Sequence, residues 1–572
     1  MIDKETAVQI LEQIAILLEL KNENPFKIRA YHNAARVLEG QTEDLKTLIE
    51  TGKLEALKGI GSGISETIHE LFEKGKLKYY EALRKSFPEG LLELLEIQGL
   101  GPKRVKVLYE KLGVKSVSEL EKACRENRLL DLEGFGAKTQ QNILLGIQSL
   151  KKSAGHFLIS FALKEAGLFV DDLKKVKGIE RIEIAGSVRR HKEIIRDIDI
   201  LVTAKDSAKV HQAFVRYPQV ELVLAHGDTK SSVALRSGIH CDLRTVEAKE
   251  FPFALYYFTG SKEHNVAMRT LVKKKGYKIN EYGLFKGNRL IPCRDEEEIF
   301  KRFGFHYIPP ELREGEGELE AAKKGELPEL VKAEDIRGVF HVHSTYSDGV
   351  ASLEDMIRTA QKIGYEYVGI SDHSQSAKYA RGLEPERLKK QRKEIEELRK
   401  KYPKIRIFWG TESDILADGR LDYPDSILHD FDFVIGSVHS HFNLSEKEQT
   451  TRILRAMDSK YLTFVGHLTG RLLLAREGYA VDIAKIIEGA KEKEVTIELN
   501  ANPHRLDLDW RYCPYAKKEG VRVSINPDAH SEEGLRDTVY GVGIARKGWL
   551  EKKDVVNTLS ISEMEKFLKK RR

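Results

Sequence analysis

The sequence has few of the features that mark secreted, disulfide-stabilised or membrane proteins. Among its 572 residues only four are cysteines, and no two of them form a CxxC pair. A disulfide framework and a cysteine zinc site are therefore excluded, and any metal would need histidine and carboxylate ligands. No stretch approaches roughly eighteen uninterrupted apolar residues, and the N-terminal segment lacks the apolar core of a secretory signal. We expect no membrane association and a cytoplasmic location.

The composition is that of a large folded protein with a small excess of positive charge. Hydrophobic residues make up 41% and charged residues 32%, which excludes a largely disordered chain. The 95 basic and 89 acidic residues give a formal net charge of +6, which permits nucleic-acid binding without requiring it. The length predicts several domains, and since no coiled-coil pattern is present we expect a monomer.

Residues 1–150 have the apolar spacing of helices and contain a short glycine pattern three times. The glycine pairs are Gly59 and Gly61, Gly99 and Gly101, and Gly134 and Gly136. Such glycines allow a tight turn, and the amides at the start of the next helix can face a DNA phosphate. Lys103 and Lys138 follow two of the turns and add positive charge. The repeats predict DNA contacts that do not read sequence; the alternative is a set of glycine-rich helix connections without a ligand.

Residues 151–245 contain short β-rich runs that carry three aspartates. Asp197 and Asp199 are two residues apart, so on a strand they point to the same face. Asp242 lies in the middle of another predicted strand. Three carboxylates at one point of a sheet repel each other unless cations neutralise them, which favours a site for two magnesium ions.

A glycine, a serine and an arginine precede these aspartates and strengthen the prediction. Gly186 and Ser187 offer a close backbone approach and a hydroxyl, and Arg190 offers charge for a triphosphate. Two aspartates alone occur often on exposed strands without any function. Together with the glycine, serine and arginine residues they favour nucleotidyl transfer.

From residue 336 onward seven β runs alternate with amphipathic helices, which predicts a barrel of parallel strands. The predicted strands are Val339–His343, Tyr365–Ser371, Ile405–Gly410, Phe433–Val438, Leu462–Gly466, Val495–Leu499 and Val521–Ile525. Each lies beside polar residues suited to a metal: His341 and His343, Asp372 and His373, Glu412, His439, His467, Glu498 to Asn500, and Asp528 with His530. The carboxyl ends of such strands converge, so we expect one pocket that holds zinc or manganese and acts on phosphate. The alternative is a set of scattered histidines.

The motifs HVHSTYSDG, SDH, GSVHS, GH and DAH resemble the successive motifs of PHP domains. This resemblance implies a distorted (β/α)7 barrel with up to three Mn²⁺ or Zn²⁺ ions and phosphoesterase chemistry. The implied ligands are His341, His343, Asp348, His373, Glu412, His439, His467, Asp528 and His530. Arg471 or Arg505 could hold a substrate phosphate, although a surface arginine is the simpler interpretation.

The run Tyr257-Phe258-Thr259-Gly260-Ser261 and the later NEYGLF resemble the nucleotide-binding segment of family X DNA polymerases, the group of DNA polymerase beta. The order of all motifs along the chain is similar to that of bacterial and archaeal PolX enzymes. The resemblance implies templated nucleotide addition at short gaps in DNA. It implies Mg²⁺ at Asp197, Asp199 and Asp242, and nucleotide contacts from Gly186, Ser187, Arg190, Tyr257, Phe258, Gly260, Lys262 and Asn265. Lys262 stands where the beta enzyme has an acidic residue, and we expect it to attract the incoming nucleotide.

The first glycine turn also resembles that of the lyase domain of polymerase beta. In that domain a lysine on the following helix attacks an abasic sugar, whereas this sequence has Thr67 there. Lys27 and Tyr31 remain as contacts for a 5′-phosphate, and Arg269 as a further DNA contact. We therefore expect no efficient deoxyribose-phosphate lyase activity by that route.

The sequence thus predicts a multidomain repair enzyme acting on gapped or primed DNA and dNTPs. Its expected folds are all-α helix–hairpin–helix domains, an α+β nucleotidyltransferase palm and thumb, and the PHP barrel, with 3′→5′ exonuclease action and cleavage at abasic sites as a further option. The expected boundaries are residues 1–80 and 81–150 for the helical domains, 151–247 for the palm, 248–308 for the thumb, 309–335 for a linker and 336–572 for the PHP domain. Two alternatives remain open: a transferase that works without a template, and a PHP barrel that is only a structural metal scaffold.

Overall fold

The computed structural model describes Ile2 and residues 4–39, 45–57, 59–97, 100–130, 132, 134–153 and 155–570. Its Cα framework divides into two units. The first comprises residues 1–154 with the short segments 349–352 and 530–533, and the second comprises the remainder. Within the described residues no helix combines the length and apolar character needed to cross a bilayer.

The described part of residues 1–153 is helical, as the apolar spacing predicts. Its helices are α1 (Lys4–Leu20), α2 (Pro25–Glu39), α3 (Leu45–Glu50), α4 (Ser62–Lys74), α5 (Lys78–Lys85), α6 (Pro102–Leu112), α7 (Val117–Arg125) and α8 (Ala137–Ser153). Leu11, Leu18 and Leu38 are fully buried in their common core, because apolar residues recur on one face of each helix.

The three glycine turns have the same backbone hydrogen bond in the same place. An N–H between the two glycines of each turn donates to a carbonyl oxygen three residues earlier: Ile60 to Leu57 (3.1 Å), Leu100 to Ile97 (3.0 Å) and Phe135 to Leu132 (3.1 Å). Helices α4, α6 and α8 each begin directly after the second glycine of a turn. Gly59 and Gly134 have positive φ angles of 113° and 81°, which explains why glycine is needed there. Gly99 lies outside the described residues.

The second unit begins with a five-stranded sheet, here called the central sheet. Its segment contains β1 (Phe157–Leu158), α9 (Ile159–Leu173), β2 (Ile179–Ile184), α10 (Gly186–Arg189), β3 (Ile194–Ile195), β4 (Asp197–Ala204), α11 (Ser207–Val215), β5 (Val220–His226), β6 (Lys230–Leu235) and β7 (His240–Thr245). The strand order is β2-β4-β7-β6-β5, and β4 pairs in parallel with β7. This parallel pair sets Asp199 opposite Asp242.

A smaller α/β subdomain follows the central sheet. It contains α12 (Phe251–Thr259), α13 (Lys262–Lys274), β8 (Lys278–Asn280), β9 (Gly283–Lys286), β10 (Arg289–Ile291), α14 (Glu296–Arg302) and α15 (Glu318–Lys324). Phe253, Met268 and Phe300 are fully buried in its core.

Residues 309–335, which the sequence analysis interprets as a linker, are built into this subdomain. Leu312, Leu319 and Leu330 are buried in the same core as Phe300. The charged composition of the segment suggests that it is exposed to solvent. Arg313 is nevertheless fully buried, and its guanidinium donates to the carboxylate of Glu296 at 2.5 Å. The segment therefore connects two modules along the chain while packing as part of the first.

Residues 336–570 form the barrel that the alternating pattern predicts. Its strands are β11 (Gly338–Val342), β12 (Tyr367–Ile370), β13 (Arg406–Asp414), β14 (Phe433–Ser437), β15 (Phe464–Val465), β16 (Thr496–Asn500) and β17 (Val523–Asn526). Its helices are α16 (Leu353–Ile363), α17 (Pro385–Lys401), α18 (Asp425–Leu428), α19 (Glu446–Met457), α20 (Ile483–Glu492), α21 (Cys513–Glu519), α22 (Thr538–Lys547) and α23 (Ile561–Lys570). The seven strands are parallel and lie in sequence order.

The first and last strands of the barrel approach each other without forming a full ladder. The N–H of His343 donates to the carbonyl oxygen of Ala529 at 2.8 Å, and an isolated bridge joins Val342 to Ala529. Phe340, Phe408, Phe433 and Phe464 form a cluster of buried rings, which excludes water from this part of the barrel. The expected distorted (β/α)7 barrel is therefore confirmed.

Within the second unit, the barrel contacts the central-sheet module through a buried lysine. Lys547 of α22 is 1% exposed, and its ammonium donates to the Glu314 carboxylate and, at 3.3 Å, to the carbonyl oxygen of Arg190. The Arg190 guanidinium donates to the same carboxylate at 3.0 Å. One acidic side chain thus neutralises two buried cations from different modules.

We expect Lys547→Ala to destabilise this junction by roughly 2–4 kcal/mol, because removing one partner leaves buried polar groups uncompensated. Differential scanning calorimetry of the full chain should show a lower melting temperature. Lys209→Ala is the control, since Lys209 pairs with Asp206 on the surface with a side chain that is 73% exposed. A control effect as large as that of Lys547→Ala would contradict this account.

Candidate metal and nucleotide sites

The barrel brings most of its predicted ligands together at the carboxyl ends of its strands. Among the described residues of the second unit, three groups of residues have ligand atoms that all lie within 4.8 Å of one another. The groups are His341, Glu412 and His467; His341, His343 and Asp528; and His373, Glu412 and His439. Nitrogen and carboxylate oxygen donors of this kind suit manganese or zinc.

Glu412 lies at the centre of this cluster and is 1% exposed. Its oxygen atoms lie 2.9–3.5 Å from imidazole nitrogens of five histidines: His341, His343, His373, His439 and His467. Burial alone would raise the pKa of Glu412, but His341, His373 and His439 hold it well below its usual range. The pKa of His341 is raised in turn, against the effect of burial, by Asp528, Glu498 and Glu412.

Two further carboxylates orient the histidines from behind. The Oε1 atom of Glu498 lies 2.6 Å from Nδ1 of His341, and Oδ1 of Asp414 lies 2.7 Å from Nδ1 of His439. In both cases the Nε2 atom is left facing the cluster, which is the usual arrangement around metal-binding histidines. The sequence analysis placed Glu498 at a strand end but missed Asp414, because β13 continues beyond its predicted end at Gly410.

The HxH motif does not follow a regular strand. His341 has a φ angle of +59°, and the register of β11 shifts between Val339 and Val342. Even so, the Nε2 atoms of His341 and His343 both lie 3.3 Å from Oδ1 of Asp528, which itself has a φ angle of +51°. Left-handed backbone at non-glycine residues costs energy and is concentrated at functional sites.

Asp348 and His530 are the remaining predicted ligands. Asp348 is partly exposed, with oxygen atoms 3.8 Å from His343 Nδ1 and 3.5 Å from His373 Nε2. His530 follows Asp528 by two residues, and its carbonyl oxygen accepts a hydrogen bond from the N–H of Val350 at 2.8 Å.

Asp372 supports the loop after β11. Its carboxylate accepts hydrogen bonds from the N–H and hydroxyl of Ser344 and from those of Ser347.

Arg505 and Arg471, the two arginines near the metal ligands of the barrel, differ in their binding partners. Nε of Arg505 lies 3.2 Å from Oδ2 of Asp528. Arg471 is bound by the carboxylates of Asp509 and Glu193 and by the carbonyl oxygens of Arg505 and Leu506. Arg471 therefore holds chain segments together, whereas Arg505 forms an ion pair with a candidate metal ligand.

The central sheet carries the second candidate site. Asp199 on β4 and Asp242 on β7 are register partners, and Lys230 pairs with Asp242 at 2.7 Å. Gly186 has a φ angle of +63°, and a Cβ atom there would lie 2.2 Å from Oδ2 of Asp199. Only glycine fits against this carboxylate, so the glycine of the Gly-Ser pair serves the aspartate site directly.

The aspartates of the central sheet repel one another. Burial, together with the neighbouring Asp197 and Asp242 carboxylates, raises the pKa of Asp199 to about 7. Two bound Mg²⁺ ions would relieve this repulsion, and the all-carboxylate donor set suits magnesium. The residues present therefore fit the expected metal.

The predicted nucleotide-binding residues surround the end of α12. The Asn265 amide donates to the carbonyl oxygen of Tyr257 at 2.7 Å, and a Cβ atom at Gly260 would lie 2.7 Å from Oδ1 of Asn265. The Arg269 guanidinium lies 6.0 Å from the centre of the Tyr257 ring. Lys262 is exposed at the first residue of α13.

Other predicted contacts differ in exposure. Phe258 is half-buried below the Arg244 guanidinium, and Ser187 is also half-buried. Arg190 is buried and already bound to Glu314 and to the carbonyl oxygen of Thr259, so its contact with a phosphate stays a prediction.

In the helical unit, the predicted DNA contacts lie on the surface of the turns. Gly61, Gly101 and Gly136 are exposed, and so are Lys103 and Lys138. No described atom lies within 4 Å of a Cβ placed at these three glycines, which leaves room for a phosphate.

The predicted 5′-phosphate residues lie elsewhere in the helical unit. The Lys27 ammonium donates to the Tyr79 hydroxyl at 2.8 Å, and Tyr31 is 7% exposed. The Thr67 hydroxyl donates to the carbonyl oxygen of Gly63 at 2.8 Å.

Comparison with known proteins identifies the family of the chain. Family models match residues 3–77 (helix-hairpin-helix domain), 91–149 (SAM-like helix-hairpin-helix tandem), 254–314 (DNA polymerase beta thumb) and 340–502 (PHP domain). The DNA polymerase/3′-5′ exonuclease PolX of Bacillus subtilis is 40% identical over 571 residues, which are 99% of each chain. The chain belongs to the PolX family.

Two further relatives match single parts of this PolX-family chain. A repair DNA polymerase X of African swine fever virus (strain Badajoz 1971) is 29% identical over 174 residues, which are 28% of this chain and 95% of the viral protein. A probable phosphatase of Caldanaerobacter subterraneus is 32% identical over 136 residues, which are 22% of this chain and 51% of that protein. Each of these two matches covers less than a third of this chain.

We expect Asp199→Asn to raise the melting temperature of the metal-free protein at pH 8. The raised pKa means that the protonated aspartate stabilises the fold below about pH 4, and that this contribution is lost as the pH rises through about 7. The amide removes the buried charge, so the gain should be about 1–3 kcal/mol at pH 8 and small at pH 4. Scanning calorimetry in EDTA at both pH values measures this gain, and a gain that is equal at both would contradict it.

Proposed function

We propose that this chain is a DNA-directed DNA polymerase that fills short gaps during DNA repair, and that its barrel removes nucleotides from 3′ ends. The observation that carries the proposal is the pair of separate clusters, one of aspartates on the central sheet and one of imidazoles and carboxylates in the barrel. The expected substrates are gapped or primed DNA and dNTPs. We also propose a cytoplasmic monomer.

In the proposed polymerase site, Asp197, Asp199 and Asp242 hold two Mg²⁺ ions. Bound magnesium supplies positive charge that activates the primer 3′-hydroxyl and stabilises the departing pyrophosphate. Gly186 leaves space beside Asp199, and Ser187 and Arg190 contact phosphates.

On the other side of the nucleotide, Tyr257 and Phe258 pack against the sugar and disfavour a 2′-hydroxyl. Asn265 touches the minor-groove edge of the new base pair. Lys262 attracts the triphosphate, and Arg269 contacts DNA.

In the proposed nuclease site, up to three Mn²⁺ or Zn²⁺ ions lie among the candidate ligands. The proposed ligands are His341, His343, Asp348, His373, Glu412, His439, His467, Asp528 and His530. When bound, such ions would supply positive charge that activates a water molecule and stabilises the leaving oxygen. The chain contributes orientation through Glu498 and Asp414, and Arg505 provides a cation for the phosphate. Abasic sites are a second proposed substrate of the barrel.

The two activities should be separable by single substitutions. Asp199→Asn should lower primer extension on 5′-phosphorylated gapped DNA by at least about a hundredfold, while 3′→5′ degradation stays near the wild-type rate. His343→Asn should lower 3′→5′ degradation to a similar extent and leave primer extension near the wild-type rate. Product analysis on one labelled primer, with Mg²⁺ and Mn²⁺ tried separately, measures both.

Two results would contradict the assignment of these sites. Extension of single strands at the rate seen on gapped DNA would favour a transferase that works without a template. Degradation that survives His343→Asn would leave the barrel as a metal scaffold without catalysis.

We expect the wild-type chain to form no borohydride-trapped adduct with 5′-deoxyribose-phosphate DNA, because Thr67 offers no amine. Thr67→Lys should create a trapped adduct, since this position lies on α4, the helix that begins directly after the first glycine turn. Thr67→Arg is the matched control, which adds a cation without a nucleophile. Trapping by the wild type would show that another lysine, such as Lys27, does this chemistry.

A further inference from the structure

An exposed tyrosine stands beside the barrel cluster. The ring of Tyr379 has its centre 6.2 Å from that of His373 and 6.3 Å from that of His439. Both histidines belong to the same candidate metal group with Glu412. Tyr379 is nevertheless 69% exposed, so most of its ring surface is open to solvent.

The segment that carries Tyr379 is fixed in place. Its 3₁₀ turn, Lys378–Ala380, lies between Ala377 and Gly382, whose main chains are joined by a hydrogen bond of 3.0 Å. A Cβ atom at Gly382 would lie 1.9 Å from the carbonyl oxygen of Ser374, so the segment is closely packed.

The same segment is tied to the metal cluster. The Ser376 hydroxyl donates to Asp414 at 3.0 Å, and Asp414 is the carboxylate that orients His439. The backbone that carries the aromatic ring is therefore anchored beside the candidate ligands.

We propose that Tyr379 is a stacking platform for the unpaired base of the 3′-terminal nucleotide while its phosphodiester lies in the barrel site. The inference rests on the proposed exonuclease function and deepens it. The nucleoside next to the reacting phosphate must lie beside the metals, and there the exposed ring offers a flat apolar surface. Every base has an aromatic face, so such a platform accepts any sequence but requires an unpaired base.

An arginine on another side of the metal cluster suits the phosphate of the same nucleotide. Arg505, whose Nε lies 3.2 Å from Asp528, provides a cation on the Asp528 side of the metal cluster. Tyr379 stands beside His373 and His439, at another part of that cluster. In this proposal the phosphate at the metals contacts Arg505 while its nucleoside stacks on Tyr379.

The test compares two tetranucleotides that differ only at the 3′ end, one with a normal nucleotide and one with a tetrahydrofuran residue that has no base. The full-length protein with Mn²⁺ is used, and KM and kcat are measured for release of the terminal residue. Tyr379→Ala should raise KM about tenfold for the normal end and leave KM for the baseless end unchanged. Tyr379→Phe should behave like the wild type, because the ring and not the hydroxyl makes the contact.

Tyr512→Ala is the matched control, since Tyr512 is an exposed tyrosine of the same barrel. The inference would be overturned if Tyr379→Ala raised KM equally for both ends. It would also be overturned if Tyr379→Phe raised KM for the normal end as much as Tyr379→Ala does. If the wild type cleaves neither substrate, the exonuclease proposal fails by itself. Fluorescence anisotropy then decides the stacking: equal affinity of the wild type for the two ends overturns it, and a preference lost in Tyr379→Ala supports it.

Discussion

Glu412 is a carboxylate with almost no exposed surface, and such a charge persists in a protein interior only beside positive groups or cations. The barrel meets this requirement with imidazoles delivered by several separate strands. Their convergence depends on the parallel arrangement, because only then do the strand ends meet at one mouth. The histidines surround Glu412 and neutralise its buried charge. Glu498 and Asp414 in turn orient two of these histidines.

The central sheet meets the same physical problem with weaker compensation: Arg244 and Lys230 lower the pKa of Asp199, but burial and the neighbouring carboxylates outweigh them. The consequence is opposite: the pKa of Glu412 is lowered, whereas that of Asp199 is raised. Metal entering the barrel would therefore displace protons from imidazoles, and metal entering the central site would displace the proton of Asp199 while it relieves the repulsion between carboxylates. The two sites of one chain should differ in how their metal affinity responds to acid.

Much of this could be predicted from sequence, and the failures have physical causes. The seven barrel strands were recognisable because each is a short buried run next to an amphipathic helix. The three glycine turns were recognisable because glycine is required by local backbone geometry, which a sequence records directly. The burial of Arg190 was not predictable, since its partners Glu314 and Lys547 are remote in sequence. The role of Asp414 was hidden for a similar reason, because it depends on His439 being brought beside an extended β13.

The shared carboxylate of Glu314 has a consequence for shortened versions of the chain. A protein that ended at residue 335 would retain Arg190 and Glu314 but lose Lys547, and the surface once covered by α22 would face water. Removing the barrel would therefore also alter the polymerase half at Arg190, three residues after Ser187. A truncated fragment with weakened synthesis would not by itself prove that the two catalytic centres cooperate.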